Sequence, residues 1–339
     1  MSWLFRLARL VKRWFRYDEI LVINYYAFIS AHQLHLRGRI IEDNKIVSLP
    51  TDNWFRNFVN LAKRILSHEV AHARVDVIAC GERFTIHSNE EGFYEGTFRI
   101  QNLCDAVRVE VNHPRFSSVI KTEVIPTILH DDVQYGVISD IDDTILVTGV
   151  VSWFKWRLLL NTLFLNPQKR KSFKNVSTFY RKLASGGNPF FYISNSPWNL
   201  FDYLKVYLQH NKFPNGFLLL RDYNFLSPKS STLEKQNKYK EIMKAFTACP
   251  DISFVLIGDA GEVDVDIYRD IAAKYPERVR AIYIRSVDDR RRMKRVRKIA
   301  KLFTPVPLMV FDHTVEMEDH LLDLQKADPQ VSVISAQRE

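Results

Sequence analysis

The chain is short of three things, and each shortage removes a class of proteins. Its 339 residues include only 3 cysteines, Cys80, Cys104 and Cys249, too few and too scattered for a disulfide-stapled secreted scaffold or a thiolate zinc site. Their spacing predicts free, structural thiols in a reducing compartment. Its 11 glycines form no Gly-rich phosphate-binding loop, and no internal repeat is present. Near the start, arginines interrupt every apolar run, leaving nothing long enough to span a bilayer and no core for a signal peptide, so neither cleavage nor secretion is expected. What remains, with 46% hydrophobic residues, is enough for real cores, and the length suits two domains.

Negative charge is scarce in two places. The net charge of +9 is concentrated in residues 1–17, where Arg6, Arg9, Lys12, Arg13 and Arg16 face no acid, and in residues 285–301, where nine cations face only Asp288 and Asp289. The rest of the chain is slightly acidic, so the excess points to a localised anionic partner. On a helical wheel Trp3, Leu4, Leu7, Ala8, Leu10, Val11, Trp14 and Phe15 oppose the five cations. Residues 1–19 are therefore expected to form a basic amphipathic helix, lying on a membrane surface or docked on the protein's own core.

From residue 20 to 130 the apolar pattern has period two with polar breaks, interrupted by one helical stretch at 54–66, and predicts a small β-sandwich-like accessory domain. Within it His68-Glu69-Val70-Ala71-His72 matches the H-E-x-x-H zinc pattern, with Glu90 or Glu91 as a third ligand. That chemistry needs both histidines one turn apart on a helix. Strand alternation resumes at Ala73, so zinc hydrolysis is the least favoured reading and a chance match is expected.

The chemistry is expected in residues 131–325, ahead of a C-terminal tail at 326–339. Gly136 to Gly149 reads GVISDIDDTILVTG, a buried strand that stops at carboxylates, as open parallel sheets present chemistry at their carboxyl edge. Like charges ~4 Å apart repel by ~4 kcal/mol at an effective dielectric of ~20, so Asp140 and Asp142 imply a cation. Later strand ends offer Ser194 and Asp259 with Asp264, and Lys238 lies on a helix between them. An all-oxygen set suits a hard cation, Mg2+.

In this order, with these hydrophobic lead-ins, the fragments resemble the four motifs of the haloacid dehalogenase superfamily. DIDDTI, NPFFYISNSPWNL (188–200), FLLLRDY (217–223), NKYKEI (237–242) and LIGDAGEVDVDIY (256–268) together resemble the actin-patch-associated phosphatidate phosphatases, over roughly residues 136–315. GRII and NEEGFYEGTF are similar to the β domain that precedes this catalytic domain in bacterial members. The resemblance implies an α/β fold, a Rossmann-like parallel sheet with helices on both faces, preceded by the small β-sandwich. It also implies that Asp140 is the nucleophile, that Asp142 is the general acid and base, and that Ser194 and Lys238 hold the phosphate. Mg2+ would sit on Asp140, the Asp142 carbonyl and Asp259, braced by Asp264, with the aromatic stretch 153–165 where such enzymes carry a flap. The implied substrate is phosphatidate, converted to diacylglycerol by a cytoplasmic enzyme peripheral at the inner face of a membrane, with an anionic membrane surface as partner and no nucleic acid. The oligomeric state is not legible. Rival expectations are another phosphomonoester, at a nucleic-acid end or in a soluble metabolite, and a non-catalytic anionic-lipid-binding module, which intact Asp140 and Asp142 disfavour.

Overall fold

The computed structural model describes residues 19–43, 69–128, 133–141, 144–145, 176–221, 231–261 and 263–327. The amphipathic segment 1–18, the helical stretch 54–66, His68, Asp142, the aromatic stretch 153–165 and residues 328–339 lie outside them.

Two sheets come first, antiparallel throughout except for one short strand. β1 (Ile20–Ser30), β2 (Gln33–Glu42), β5 (Phe93–Arg99) and β8 (Thr127–Ile128) form one, in the order β5-β2-β1-β8, in which the short β8 pairs in parallel with β1. β3 (Arg74–Ala79), β4 (Glu82–His87), β6 (Ala106–His113) and β7 (Phe116–Val124) form the other, in the order β4-β3-β6-β7. Period-two alternation turns Val75, Val77, Val107, Val109 and Val111 inward, where they meet Ile29, Leu34 and Leu36 of the first sheet in one core, the arrangement of a sandwich. β1 departs from simple alternation. A bulge between Asn24 and Tyr26 lets Ile20, Val22, Ala27 and Ile29 all face the sandwich core while Tyr25 and Phe28 enter the cores of the α/β region that follows. One strand thereby joins both parts of the molecule.

That second region has six parallel strands: β9 (Gly136–Asp140), β10 (Phe190–Pro197), β11 (Phe217–Arg221), β12 (Phe254–Asp259), β13 (Val279–Arg285) and β14 (Leu308–Phe311). Their order is β11-β10-β9-β12-β13-β14. The chain winds outward both ways from β9, so β9 lies at the switch point where such sheets open a crevice. The helices are α1 (Val176–Leu183), α2 (Phe201–His210), α3 (Ser231–Ala248), α4 (Asp264–Lys274), α5 (Arg290–Leu302) and α6 (Thr314–Ala327). Val137, Val255, Ile257 and Tyr283 pack with α1, α2 and α6 on one face, and Ile138, Leu256, Ile282 and Ile284 with α3, α4 and α5 on the other. Burial on both faces explains why these strands read as unbroken apolar runs. The parallel sheet with helices on both faces is the fold that the resemblance implied.

The cysteines require a correction. Cys80 and Cys104 form a disulfide, and Cys249 is the free cysteine among the described residues. Antiparallel pairing sets Ala79 opposite Val107, bringing the turn after β3 next to the approach to β6 across 24 residues of sequence. Sequence spacing alone did not reveal that pairing. The Cys249 thiol is buried in the α3 side of the core, and burial pushes it up to about 11.

Candidate active site

Adjacent strands β9 and β12 end in Asp140 and Asp259, both wholly buried. Five residues after Asp259 the chain turns into α4, whose first residue is Asp264, also wholly buried. A helix N-terminus favours a carboxylate through its dipole and unsatisfied N–H groups. Asp264 Oδ2 accepts the Asp259 backbone N–H at 3.3 Å, so the second carboxylate is tied to the strand end that carries the first. This close approach requires Gly258, where a Cβ would lie 2.4 Å from Asp264 Oδ2.

Lys238 comes from α3 and is 1% exposed. Its Nζ donates to Asp140 Oδ1 at 2.6 Å and to Asp264 Oδ1. Carboxylate oxygens of Asp140, Asp259 and Asp264 lie within 4.8 Å of one another. Three carboxylates around one ammonium sum to −2 in formal charge, which the Arg285 guanidinium acting on Asp259 offsets only in part, in a place where each buried ion costs several kcal/mol unless balanced. A divalent cation with oxygen ligands restores the balance, and the donor set fits one of the hard class. Both Asp264 oxygens already accept hydrogen bonds, which suits a bracing position, whereas Asp140 and Asp259 present buried Oδ2 atoms. Beside them the Tyr268 hydroxyl, raised well above its usual range chiefly by burial and then by Asp264, donates to the Ile257 carbonyl at 3.2 Å and adds no negative charge.

Ser194 follows Ile193, which pairs with Asp140 across β10 and β9. It therefore stands at the neighbouring strand end, buried, its Oγ accepting the Ser196 N–H at 2.9 Å. Of the residues read from sequence, Asp140, Lys238, Asp259 and Asp264 are brought together, Ser194 lies one strand away, and Asp142 is outside the described residues.

Other side chains at this edge were not foreseen. Ser139 Oγ donates to the Asp140 carbonyl at 2.8 Å and hydrogen-bonds the Tyr180 hydroxyl of α1 at 2.9 Å. Arg285, ending β13, donates to the Thr144 carbonyl at 3.1 Å, and the Tyr207 hydroxyl of α2 donates to the Ile145 carbonyl at 3.1 Å. Three separate elements thus hold the backbone on both sides of Asp142. Arg285 had a signal, a charge ending the apolar run VRAIYIR. The tyrosines had none, because helical spacing marks them as core.

The zinc pattern is not carried on a helix in its described part. Glu69 forms an isolated bridge with Ile41 and an ion pair with Arg39 at 3.4 Å, and His72 has φ +56 with its N–H on the Ser88 carbonyl. Among the described residues no helix is long and apolar enough to cross a membrane.

With this geometry in place, residues 135–286 match the family model described as phosphatidate phosphatase APP1, catalytic domain. Phosphatidate phosphatase APP1 of Saccharomyces cerevisiae is 38% identical over 155 residues, 44% of this chain and 25% of that protein. An uncharacterized protein of Schizosaccharomyces pombe is 31% identical over 170 residues, 50% of this chain and 28% of that protein. The chain therefore spans about a quarter of the length of these curated relatives. The class C acid phosphatase of Bacillus anthracis is similar at 17% identity over 43% of this chain and 63% of that chain, with a TM-score of 0.28. So slight a likeness carries no part of the fold assignment, which rests on strand order.

Proposed function

Because residues 135–286 match the APP1 phosphatidate phosphatase catalytic-domain model, we propose that the chain is a Mg2+-dependent phosphatase that hydrolyses phosphatidate to diacylglycerol and inorganic phosphate at a membrane surface. The observation that carries this reading is the buried trio Asp140, Asp259 and Asp264 around Lys238 at the carboxyl edge of a parallel sheet. The Asp140 carboxylate attacks phosphorus in line; a bond forms from its oxygen, the bond to the glycerol oxygen breaks, and Asp142 gives its proton to the departing alkoxide. Water then attacks the aspartyl-phosphate and gives a proton to Asp142, releasing phosphate and restoring Asp140. General acid–base help of this kind contributes ~10²–10⁴-fold. Lys238 and Ser194 orient the phosphoryl oxygens. Bound at Asp140, Asp259 and the Asp142 carbonyl, with Asp264 as brace, Mg2+ would neutralise charge on the transferring group. The amphipathic segment 1–17 supports action at a membrane.

The test is phosphate release by the purified chain from a panel of phospholipids, nucleotides and sugar phosphates, with and without Mg2+. Preference for phosphatidate with a requirement for Mg2+ is expected. Preference for a soluble ester would replace the substrate, and activity undiminished by chelation would remove the metal.

A further inference from the structure

In α5 eight of thirteen residues are cations, Arg290, Arg291, Arg292, Lys294, Arg295, Arg297, Lys298 and Lys301, and none is acidic. Folding does not ask for this pattern. Three arginines occupy the first turn, where the helix dipole repels cations, and Arg291, Lys294, Lys298 and Lys301 follow one another at spacings that set like charges side by side. Met293 and Val296 are buried and fix the inward face. Arg290, Arg291, Lys294, Lys298 and Lys301 are exposed on the opposite side, and Leu302, at the end of the same helix, is 68% exposed. Arg292 pairs with Asp289 and Arg295 with Asp266. Among the described residues no carboxylate forms an ion pair with the other six cations of the helix.

The place of this surface matters as much as its charge. Arg292 donates to the Gly261 carbonyl, and the Gly261 N–H donates to Asp259 Oδ1, so α5 is fastened to the loop that carries one of the three clustered carboxylates. The helix starts after β13 at the sheet's carboxyl edge, where Asp140 and Asp259 emerge, and runs back along the sheet toward the start of its parallel neighbour β14. A straight row of cations about 20 Å long, with an apolar side chain at one end and no aromatic ring on which a base could stack, fits a flat anionic surface better than a single-stranded nucleic acid.

We infer that the outward face of α5 is the surface that seats the catalytic edge on an anionic lipid bilayer, with its five outward cations among the headgroups and Leu302 at the interface. This rests on the lipid-substrate reading and adds to segment 1–17 a second contact, whose first turn is fastened to the loop after Asp259. Each cation near such a surface contributes about fivefold in partitioning, so five together give at least ~100-fold after mutual screening.

The experiment uses the full chain and cosedimentation with vesicles of phosphatidylcholine alone or with added phosphatidylserine. Wild-type protein is expected to pellet with the anionic vesicles and to be released by salt. The R290Q/R291Q/K294Q/K298Q/K301Q variant should bind at least ~100-fold more weakly and lose turnover of vesicle-embedded phosphatidate in proportion. It should keep the wild-type kcat on a water-soluble phosphate ester, and its thermal midpoint should equal or exceed wild type because repulsion has been removed. Leu302→Asp, which leaves the buried face alone, should weaken vesicle binding several-fold. Unchanged vesicle binding in both variants, or wild-type binding to labelled duplex RNA but not to anionic vesicles, would overturn the inference. If wild type binds vesicles through α5 but releases no phosphate from phosphatidate, the substrate reading fails and the surface stands.

Discussion

Two of the clusters of buried charge among the described residues are built on opposite terms. On the β2 face that looks away from the sandwich core, Arg37 and Arg39 are 2% and 5% exposed. Arg37 lies over the rings of Phe93 and Trp198, 5.3 and 5.0 Å from their centroids, and pairs with Glu95 at 3.2 Å. Arg39 lies 4.6 Å from the Phe93 centroid, donates to the Glu91 carbonyl at 2.9 Å and pairs with Glu69. Each guanidinium has a carboxylate and an aromatic face, so this group is balanced. His35, on the same face, stacks on Phe28, and burial holds its imidazole down at about 4; it enters the interior uncharged. At the sheet edge, by contrast, three carboxylates cluster where Lys238 pairs with two of them and the Arg285 charge acts on the third, Asp259, so acids outnumber cations. A fold that needs only stability balances what it buries, because uncompensated buried charge is costly. The imbalance is what distinguishes a site from a brace. The two are also neighbours: Trp198, beneath Arg37, follows Ser194 by four residues and stacks on Tyr25 of β1 at 4.0 Å.

Substitutions in the two groups should therefore do different things. Asp259→Asn reduces the imbalance and removes a proposed ligand, so the Mg2+ concentration for half-maximal phosphate release should rise by about 100-fold, while the chain folds as well as wild type or better. A Mg2+ titration of activity checks this, and an unchanged midpoint would return Asp259 to a structural role.

The balanced group should respond to acid. With the native His35 imidazole at about 4 and its ordinary value at 6.5, the unfolded chain takes up the proton first as pH falls. The stability is fully present above about pH 6.5 and is lost toward pH 4. Between pH 7 and pH 5 the loss is about 2 kcal/mol, readable in urea midpoints, and His35→Gln should flatten it. An equal slope in both proteins would mean that other groups carry the acid response.

Arg285→Gln separates positioning from metal binding. Without its hold on the Thr144 carbonyl the backbone beside Asp142 is less well placed, and kcat should fall by on the order of tenfold with no rise in the Mg2+ requirement, since the lost cation acts on Asp259. A rise in the metal midpoint along with the fall in kcat would show that Arg285 acts through the carboxylates instead. The smallest effect is expected from Arg37→Met. It leaves Glu95, whose side chain is 43% exposed, to solvent, and should cost about 1 kcal/mol in a denaturant melt with no change in Mg2+ dependence.

How much of this was legible in the sequence follows from the same contrast. Asp140 and Asp259 stood out because runs as apolar as GVIS and FVLIG have no structural reason to end in acids, and the roles of Asp264 and Lys238 came from the resemblance. The parallel sheet followed from the same runs. The joint between the two regions was not legible, because the β1 bulge that turns Tyr25 outward breaks the period that sequence reading depends on. The burial of Arg37 and Arg39 was not legible, since nothing local reveals that Phe93 and Trp198 will cover them. Long-range pairing likewise hid the Cys80–Cys104 bond, the grips of Tyr207 and Arg285 on the backbone near Asp142, and the contact of Tyr180 with Ser139.

The central claim is that Asp140, held at the unbalanced edge, is the group that takes the phosphoryl. Wild-type protein mixed with phosphatidate labelled on its phosphate, in Mg2+, and quenched in acid within its first turnovers tests it most directly. Label should appear on the peptide containing Asp140, in a bond cleaved by hydroxylamine, and should be absent from Asp140→Asn. Label on any other residue, or steady turnover in Asp140→Asn, would contradict it.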